Sequence, residues 1–334
     1  MVDRSLLALL PSEVKARLVK RPQPKWLAPM LATLTDERFS RAGWLFEPKW
    51  DGERCLVFRR EGNLSLFSRN RIRLDEKYPE IVTALRRQRI ASFIADGEIV
   101  TFEDGLTSFA RLQERMNVAR PSQTLLRSVP VWLCLFDLLY VDHYDIRQVP
   151  LRYRKEILGG MFEFRDSLQL TRHLERDGEA YFRRACRSGW EGIIAKNGES
   201  AYVSRRTRDW LKFKCRHEQE FVIGGYTDPR GSRIGFGALL LGCYRRRALV
   251  YAGKVGTGFN HDLLQHLGKK LAQLQIANPP FADDRLPRLG VHWVKPRLVA
   301  QIGFSEWTAD RRLRHPRFLG LRHDKRPEEI VREA

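Results

Sequence analysis

The stretch EPKWDGER, residues 47–54, lies between two apolar runs, WLF at 44–46 and CLVF at 55–58. A proline and a glycine punctuate it, so the pattern predicts a strand, a tight turn and a second strand. Lys49 is then fixed at a turn between two half-buried strands. A lysine held rigidly at the edge of a core suits covalent catalysis by an amine.

Such a lysine attacks only as the free amine. At the reference pKa, about one lysine in a thousand is neutral at pH 7, so the site must favour the neutral form. Glu47 and Asp51 flank Lys49, and we expect Arg54 and later lysines to supply the cations that lower its pKa. The alternative is a hairpin turn with a solvated lysine, since the pattern Lys-x-Asp-Gly is weak when taken alone.

The composition predicts a partner that is a polyanion. The 334 residues include 60 Lys+Arg and 40 Asp+Glu, which gives a formal net charge of +20. This balance suits nucleic acid first and an anionic membrane surface second; a generally basic, solvated surface is the alternative. No apolar run of about 18 residues occurs, so we expect no membrane span. The length allows one large or two ordinary domains.

The cysteines predict neither a metal site nor a disulfide framework. They are far apart and include no C-x-x-C pair; they are Cys55, Cys134, Cys186, Cys215 and Cys243. Three of them lie in apolar runs and resemble buried small hydrophobes. This usage fits a reducing cytoplasm.

Further along the chain, apolar patterns predict alternating strands and helices. Strands are expected at 54–60, 64–68, 93–100 and 131–141, and helices at 75–88, 151–158 and 177–188. After Cys215, short strands separated by glycine-rich turns, with one helix at 261–273, predict a small Greek-key barrel such as an OB-fold.

Charged residues interrupt several predicted strands. A charge inside an apolar strand must be paired, hold a metal or face a cleft. The residues in question are Glu98, Asp137, Glu191, Lys196, Lys212 and Lys214. A buried structural ion pair is the alternative for any one of them. Together they predict a shared cleft, with Glu98 and Glu191 as magnesium ligands and the cations as a phosphate clamp.

The order of these motifs resembles the nucleotidyltransferase superfamily of ATP-dependent DNA ligases, RNA ligases and mRNA capping enzymes. The stretches that carry the resemblance are KWDGER at 49–54, SRN at 68–70, DGE at 96–98, FD at 136–137, EGIIAK at 191–196, WLKFK at 210–214 and RFLGLRHDK at 317–325. The last of them looks like a DNA ligase. The wider sequences WEGIIAK, VGTGF and FSEWT are similar to bacterial ligases of the end-joining type.

This resemblance implies an α+β fold. Residues 1–217 would form an adenylation (nucleotidyltransferase) domain of antiparallel sheets with flanking helices, and residues 218–334 a small OB-fold β-barrel domain. The implied enzyme is an ATP-dependent DNA ligase that seals breaks between 3′-hydroxyl and 5′-phosphate ends through a lysyl-AMP intermediate, in DNA repair or end joining. ATP and Mg²⁺ or Mn²⁺ would be required.

The resemblance also implies a role for individual residues. Lys49 is the nucleophile, Glu98 binds the ribose and Phe136 the adenine ring, and Glu47 lies against the adenine. The other implied nucleotide contacts are Arg54, Arg69, Arg206, Lys196, Lys212 and Lys214. Glu191 is the stronger candidate metal ligand, with Glu98 beside it. Arg205 and Arg208 compete with Arg206 for its role.

The C-terminal motif has a separate implied role. Arg322, Asp324 and Lys325 would orient pyrophosphate for departure; a surface that only clamps DNA is the alternative. The implied partners are nicked or broken duplex DNA and an end-binding protein, for a monomer in the bacterial cytoplasm, associated with the nucleoid. A stand-alone ligase and an excised ligase module both fit. The rival functions are RNA ligation, mRNA capping and binding of nucleic acid by an inactive relative.

Overall fold

The computed structural model describes residues 10–215, 217–229, 231–283, 286–287, 289–308 and 310–333. The chain divides into two units, and the first of them ends at Cys215. No helix among the described residues is long and apolar enough to cross a membrane.

The strands of the first unit form two main sheets and one short hairpin. They are β1 Val19–Lys20, β2 Leu31–Leu34, β3 Trp44–Pro48, β4 Glu53–Arg60, β5 Asn63–Ser68, β6 Phe93–Val100, β7 Phe102–Glu103, β8 Leu106–Thr107, β9 Trp132–Val141, β10 Tyr144–Asp145, β11 Leu168–Leu170, β12 Gly192–Asn197 and β13 Arg206–Lys214. The seven-stranded sheet has the order β1-β10-β9-β6-β4-β5 with β11 beside β9, and the four-stranded sheet has the order β2-β13-β12-β3. All pairs in them are antiparallel except β11 with β9 and β13 with β2.

The helices of this unit are short. They are α1 Ser12–Lys15, α2 Pro79–Arg86, α3 Phe109–Met116, α4 Gln123–Ser128, α5 Leu151–Met161 and α6 Gly178–Arg187. Proline stands at the first position of α2 and immediately before α5, where its missing N–H costs no helical hydrogen bond. The helix expected over 75–88 therefore begins only at Pro79.

Three apolar clusters hold these layers together. Helices α2, α3 and α5 cover one face of the seven-stranded sheet. The opposite face packs on the four-stranded sheet through side chains that include Leu56, Phe136 and Trp210. Helix α6 covers the outer face of the four-stranded sheet. Functional side chains at the ends of strands in both sheets can therefore meet between them.

The turn between β3 and β4 depends on a close backbone contact. A Cβ added at Gly52 would lie 2.1 Å from the carbonyl oxygen of Ile99 in β6. Only glycine lets β4 start so near its neighbour. The strand–turn–strand prediction around Lys49 is confirmed, because β3 ends at Pro48 and β4 begins at Glu53.

One expectation about the cysteines is wrong. Cys186, at the end of α6, and Cys215, just after β13, form a disulfide, and their Cα atoms lie 5.2 Å apart. The fold brings the two ends together because α6 packs on the sheet that contains β13, and the sequence separation of 29 hides this from local patterns. The other three cysteines are free and buried, as predicted.

The second unit contains one larger sheet and one helix. Its elements are β14 His217–Thr227, β15 Leu239–Arg245, β16 Ala248–Val255, α7 His261–Ala272, β17 Gln275–Ile276, β18 Val291–Phe304, β19 Glu306–Trp307, β20 Leu313–Arg314, β21 Arg317–Leu321 and a 3₁₀ turn at Pro327–Glu329. The sheet order is β16-β15-β14-β18-β17, with β21 beside β18. The order of these elements, with the helix after the third strand, is the order expected of an OB-fold. The pairings among the described residues form an open path, which suits a fold whose barrel is partly open.

Candidate active site

The four-stranded sheet brings three of the sequence motifs together. Ile194 of β12 stands opposite Glu47 of β3 on one side and opposite Lys212 of β13 on the other. Lys49 follows β3 and donates its backbone N–H to the carbonyl of Gly192 at 3.0 Å. Stretches far apart in sequence thus become neighbours through strand pairing.

The seven-stranded sheet supplies the other motifs. Arg54 of β4 stands opposite Glu98 of β6, and Glu98 stands opposite Cys134 of β9. Phe136 lies two residues further along β9. Ser68 pairs with Cys55, so Arg69 follows at the same end of the sheet as Arg54.

Lys49 is held as an ammonium group. Its Nζ donates a short hydrogen bond to the Glu191 carboxylate, and its side chain is 19% exposed. Burial works to lower the pKa of Lys49, but the carboxylates of Glu191, Asp51 and Glu98 outweigh burial and raise that pKa above the usual lysine value. The expectation that neighbouring cations favour the neutral amine is therefore wrong for the described site.

Arg54 forms its ion pair with a different carboxylate, that of Asp96. Its Nε and Nη2 each donate to Asp96 at 2.6 Å, and the Tyr202 hydroxyl donates to the same carboxylate at 2.6 Å. Asp96 is fully buried. The guanidinium carbon of Arg54 also lies 4.6 Å from the centroid of the Phe136 ring. The structure thus places Arg54 at the phenylalanine and gives its charge a fixed partner.

Glu47 lies in a buried cluster with two lysines. Lys155 Nζ donates to its Oε1 and Lys196 Nζ lies by its Oε2, both at 2.6 Å, and all three side chains are at most 3% exposed. Burial opposes ionisation of Glu47, but the two lysines hold its pKa below the usual value. Burial lowers the pKa of Lys196 to about 8 despite Glu47.

The sequence patterns did not single out Lys155. It lies in α5 and also donates to the carbonyl of Thr171 at 3.0 Å. The sequence feature that could have indicated it is a pair of adjacent cations, Arg154 and Lys155, in an amphipathic helix. The structure shows that both are buried.

The ring of Phe136 is in contact with cationic side chains. Lys196 Nζ is 4.1 Å from its ring centroid and 4.2 Å from the ring of Trp210, and the ring of Phe136 meets Trp210 edge to face at 6.0 Å. The phenylalanine is 6% exposed and belongs to the core between the two sheets. A cation against an aromatic face contributes about 0.5–2 kcal/mol depending on desolvation.

Asp137, which was predicted to face the cleft, forms a buried ion pair instead. Arg154 of α5 donates from Nε and Nη2 to the two carboxylate oxygens of Asp137 at 2.8 Å, and both residues are fully buried. For Asp137 the structural ion pair was therefore the correct interpretation.

The remaining predicted cations lie along β13 and at its start. Lys212 and Lys214 are half-buried and alternate with the buried Leu211 and Phe213, as the sequence predicted. Arg206 is exposed and donates to the carbonyl of Ala32.

The carboxylates around Lys49 fit a divalent cation in chemistry. Glu191 and Glu98 both act on Lys49, and magnesium is usually bound through one or two carboxylates together with substrate phosphates. No group of three or more His, Cys, Asp or Glu side chains that could hold a metal occurs among the residues that the structure describes.

The C-terminal motif forms an ion-paired cluster within the second unit. Arg322 donates from Nε and Nη2 to the carboxylate of Asp324 at 2.9 and 2.8 Å. Lys325 Nζ lies 3.2 Å from Glu220. Burial opposes ionisation of Asp324, but Arg322 outweighs it and lowers the pKa of that carboxyl.

Two protein families match this chain. Residues 29–214 match the ATP dependent DNA ligase domain, and residues 232–325 match the ATP dependent DNA ligase C terminal region. The two matches follow the order of the two units.

Curated relatives with similar sequences are proteins of DNA end joining. The multifunctional non-homologous end joining protein LigD of Pseudomonas aeruginosa is 37% identical over 322 residues, which is 94% of this chain and 37% of the relative. The LigD protein of Mycobacterium tuberculosis is 38% identical over 314 residues, or 92% of this chain and 40% of the relative. This chain therefore spans about two fifths of the length of these relatives.

A solved structure agrees with these matches over most of both chains. It is titled mycobacterial DNA ligase D complexed with ATP and MES, and it is similar with a TM-score of 0.64 and 36% sequence identity. The similarity covers 92% of this chain and 98% of that one.

Proposed function

We propose, on the premise that this chain belongs to the ATP-dependent DNA ligase family, that it seals breaks in duplex DNA through a covalent lysyl-AMP intermediate. The observation that carries the proposal is Lys49, which lies at a strand–turn–strand junction, is hydrogen-bonded to Glu191 and is influenced by Asp51 and by Glu98 of the other sheet. The names of its relatives favour DNA end joining as the setting.

In the first step, Lys49 Nζ attacks the α-phosphorus of ATP. A phosphorus–nitrogen bond forms, the bond to the bridging oxygen of the β-phosphate breaks, and pyrophosphate leaves. Lys49, whose side chain is 19% exposed, must lose a proton to solvent before it attacks. Glu191 is the carboxylate in contact with that proton, so its hydrogen bond to Nζ must be given up as the reaction begins.

The next two steps use the DNA ends. The 5′-phosphate attacks the phosphorus of lysyl-AMP and releases Lys49, which gives an AMP–DNA pyrophosphate link. The 3′-hydroxyl then attacks the 5′-phosphate, a phosphodiester forms and AMP leaves. Both are in-line phosphoryl transfers that depend on positioning and on neutralisation of charge.

We assign nucleotide contacts to the residues that surround Lys49. Phe136 would meet the adenine ring, Glu98 the ribose and Glu47 the edge of the base. The phosphate and ribose contacts would come from Arg54, Arg69, Arg206, Lys196, Lys212 and Lys214. The strand pairings of β3, β12 and β13 support this assignment, and so does the position of Arg54 beside Phe136.

Glu98 and Glu191 would hold a divalent metal ion, Mg²⁺ or Mn²⁺, which when bound supplies positive charge to the phosphates. In the second unit, Arg322, Asp324 and Lys325 would orient pyrophosphate for departure.

The domain assignment, the partners and the location belong to the same proposal. Residues 1–217 act as the adenylation domain and residues 218–334 as the OB-fold domain. The partners are nicked or broken duplex DNA and an end-binding protein, and the enzyme works as a monomer associated with the nucleoid in the cytoplasm. RNA ligation and mRNA capping would use the same lysine, but both matching families are families of DNA ligases.

Covalent labelling tests the proposal. The chain is incubated with α-labelled ATP and magnesium and separated under denaturing conditions; a labelled protein band is expected. Lys49→Ala should abolish the band, and Lys25→Ala, which changes an exposed lysine of the same unit, should leave it unchanged. Lys49→Ala should still seal a nick that already carries 5′-AMP, because the last step does not use the lysine. Normal labelling of Lys49→Ala would overturn the assignment, and sealing of nicked RNA in preference to nicked DNA would favour RNA ligation.

A further inference from the structure

The second unit contains a cavity of about 520 Å³ that the reaction above does not use. It lies between the hairpin of β15 and β16, the region of β19 and the C-terminal segment. Its apolar walls include Val250, Ala252 and Val331. Val331 is 49% exposed, one of the few large apolar side chains with so much free surface among the residues that the structure describes.

Four arginines from three separate segments line the same cavity: Arg245, Arg246, Arg311 and Arg332. All four are exposed. Within the described residues, none of them forms an ion pair with a carboxylate. Arg246 and Arg311 also have left-handed backbones, with φ of 58° and 57°, a conformation that residues other than glycine rarely adopt. The cavity thus combines apolar walls with an exposed cationic rim.

Trp307 and Tyr251, two of the three aromatic residues at this cavity, are poorly placed to stack on nucleobases. Arg332 already lies 4.5 Å from the ring centroid of Trp307, and Arg312 lies 4.6 Å from that of Tyr251. Base stacking needs an open ring face. A phosphodiester backbone would satisfy the arginines but would leave the apolar walls in contact with water.

An added strand does not fit either. The C-terminal segment already occupies the edge of β15 here, because Tyr244 N–H donates to the carbonyl of Ile330 at 2.7 Å and Tyr244 pairs with Val331. A ligand beside Tyr244 must therefore bind through its side chains.

We propose that this cavity docks an acidic segment of a partner protein that carries a large apolar side chain between its carboxylates. The apolar side chain enters the cavity and the carboxylates meet the four arginines. Arginine, tryptophan and tyrosine are the residues that most often dominate binding energy at protein interfaces, and a pocket of this volume holds a few side chains.

Fluorescence anisotropy with the full chain at physiological salt tests the proposal. The probe is a labelled octapeptide, Asp-Glu-Asp-Phe-Leu-Asp-Glu-Asp; a second peptide replaces Phe-Leu with Gly-Ser and keeps the charge. The first peptide should bind at least about tenfold more tightly than the second, because only it can fill the apolar cavity. Equal binding of the two peptides would overturn the proposal.

Matched variants separate the cavity from the general charge of the chain. Arg245→Glu and Arg332→Glu should each weaken binding of the first peptide about tenfold or more, the loss expected for one charge-assisted contact. Arg247→Glu changes an exposed neighbour that does not line the cavity and should change binding less than about twofold. Val331→Ser should weaken the first peptide a few-fold and leave the second unchanged.

Melting temperatures of the variants identify any loss of folding. An equal loss in Arg247→Glu would mean that only net charge acts and would contradict the proposal. A labelled oligothymidylate that competes with the peptide and loses affinity in the same variants would assign the cavity to single-stranded nucleic acid instead.

Discussion

In the described site the Lys49 side chain is positively charged, and its hydrogen bond to Glu191 stabilises that charge. A pKa raised above the lysine reference leaves even less than about one amine in a thousand neutral at pH 7. If Lys49 is the proposed nucleophile, its adenylation requires that the Glu191 carboxylate gives up its hydrogen bond to the ammonium. Of the three carboxylates that raise the pKa of Lys49, Glu98 lies on the other sheet.

Lys155 offers a test of the buried cluster at Glu47. Lys155→Met removes one of the two cations that neutralise a carboxylate 2% exposed to solvent. Removing one partner of a buried ion pair typically costs 3–5 kcal/mol; because Lys196 remains, we expect about 3 kcal/mol of lost stability. Urea denaturation measures it.

Lys25→Met, at an exposed lysine, is the control and should change the free energy of unfolding by less than about 0.5 kcal/mol. A Lys155→Met variant as stable as the control would show that Glu47 needs only Lys196.

At the scale of elements, helix α5 is attached to the sheet by the pair of Arg154 and Asp137. Arg154→Met leaves a fully buried carboxylate without its cation and should cost about 3–5 kcal/mol in unfolding free energy. Arg152→Met, two residues earlier in the same helix, breaks an ion pair with Glu199 that is 38% and 59% exposed, and should cost less than about 1 kcal/mol. Chemical denaturation of both variants gives the comparison, and equal losses would contradict it.

The elements that the sequence predicted well are those with a strong local signal. The ten-residue run of β9 and the turn at Lys49 have such signals, and so does the alternation of Lys212 and Lys214 with buried residues. Helices α3 and α4 and strands β2 and β11 were not predicted, because they are short and depend on contacts with distant strands. The partners of Lys49 and Glu47 and the Cys186–Cys215 bond were out of reach for the same reason.

At the scale of the whole molecule, the net charge of +20 predicts how the affinity for DNA, the proposed substrate, depends on salt. Affinity for duplex DNA should be independent of sequence and should fall steeply with salt, because each phosphate contact releases counterions. With about six phosphate contacts, affinity should drop roughly a thousandfold between about 50 and 200 mM salt. Titrating two duplexes of equal length and unrelated sequence checks both expectations; an affinity that salt leaves unchanged would count against them.

A variant of Arg322 tests whether the second unit acts in adenylation or only in binding DNA. If it orients pyrophosphate, Arg322→Ala should slow adenylation of Lys49 by roughly ten- to hundredfold, the value of one charge-assisted contact. Sealing of a nick that already carries AMP should change much less. Normal adenylation with weakened, salt-sensitive sealing would instead mean that this segment grips DNA. Equal loss of both would mean that the ion pair with Asp324 chiefly maintains the second unit.

The disulfide between Cys186 and Cys215 also has a mechanical consequence. A pull on the two ends of the chain passes from one sulfur to the other and leaves the residues between them, Glu191 and Lys196 included, without tension. The disulfide closes a loop with a sequence separation of 29. Without the bond, the residues of that loop would add about 100 Å to the length of the fully extended chain. In an optical trap, the fully stretched protein should therefore be about 100 Å longer with a reductant than without it, and Cys186→Ser should have the longer contour in both conditions.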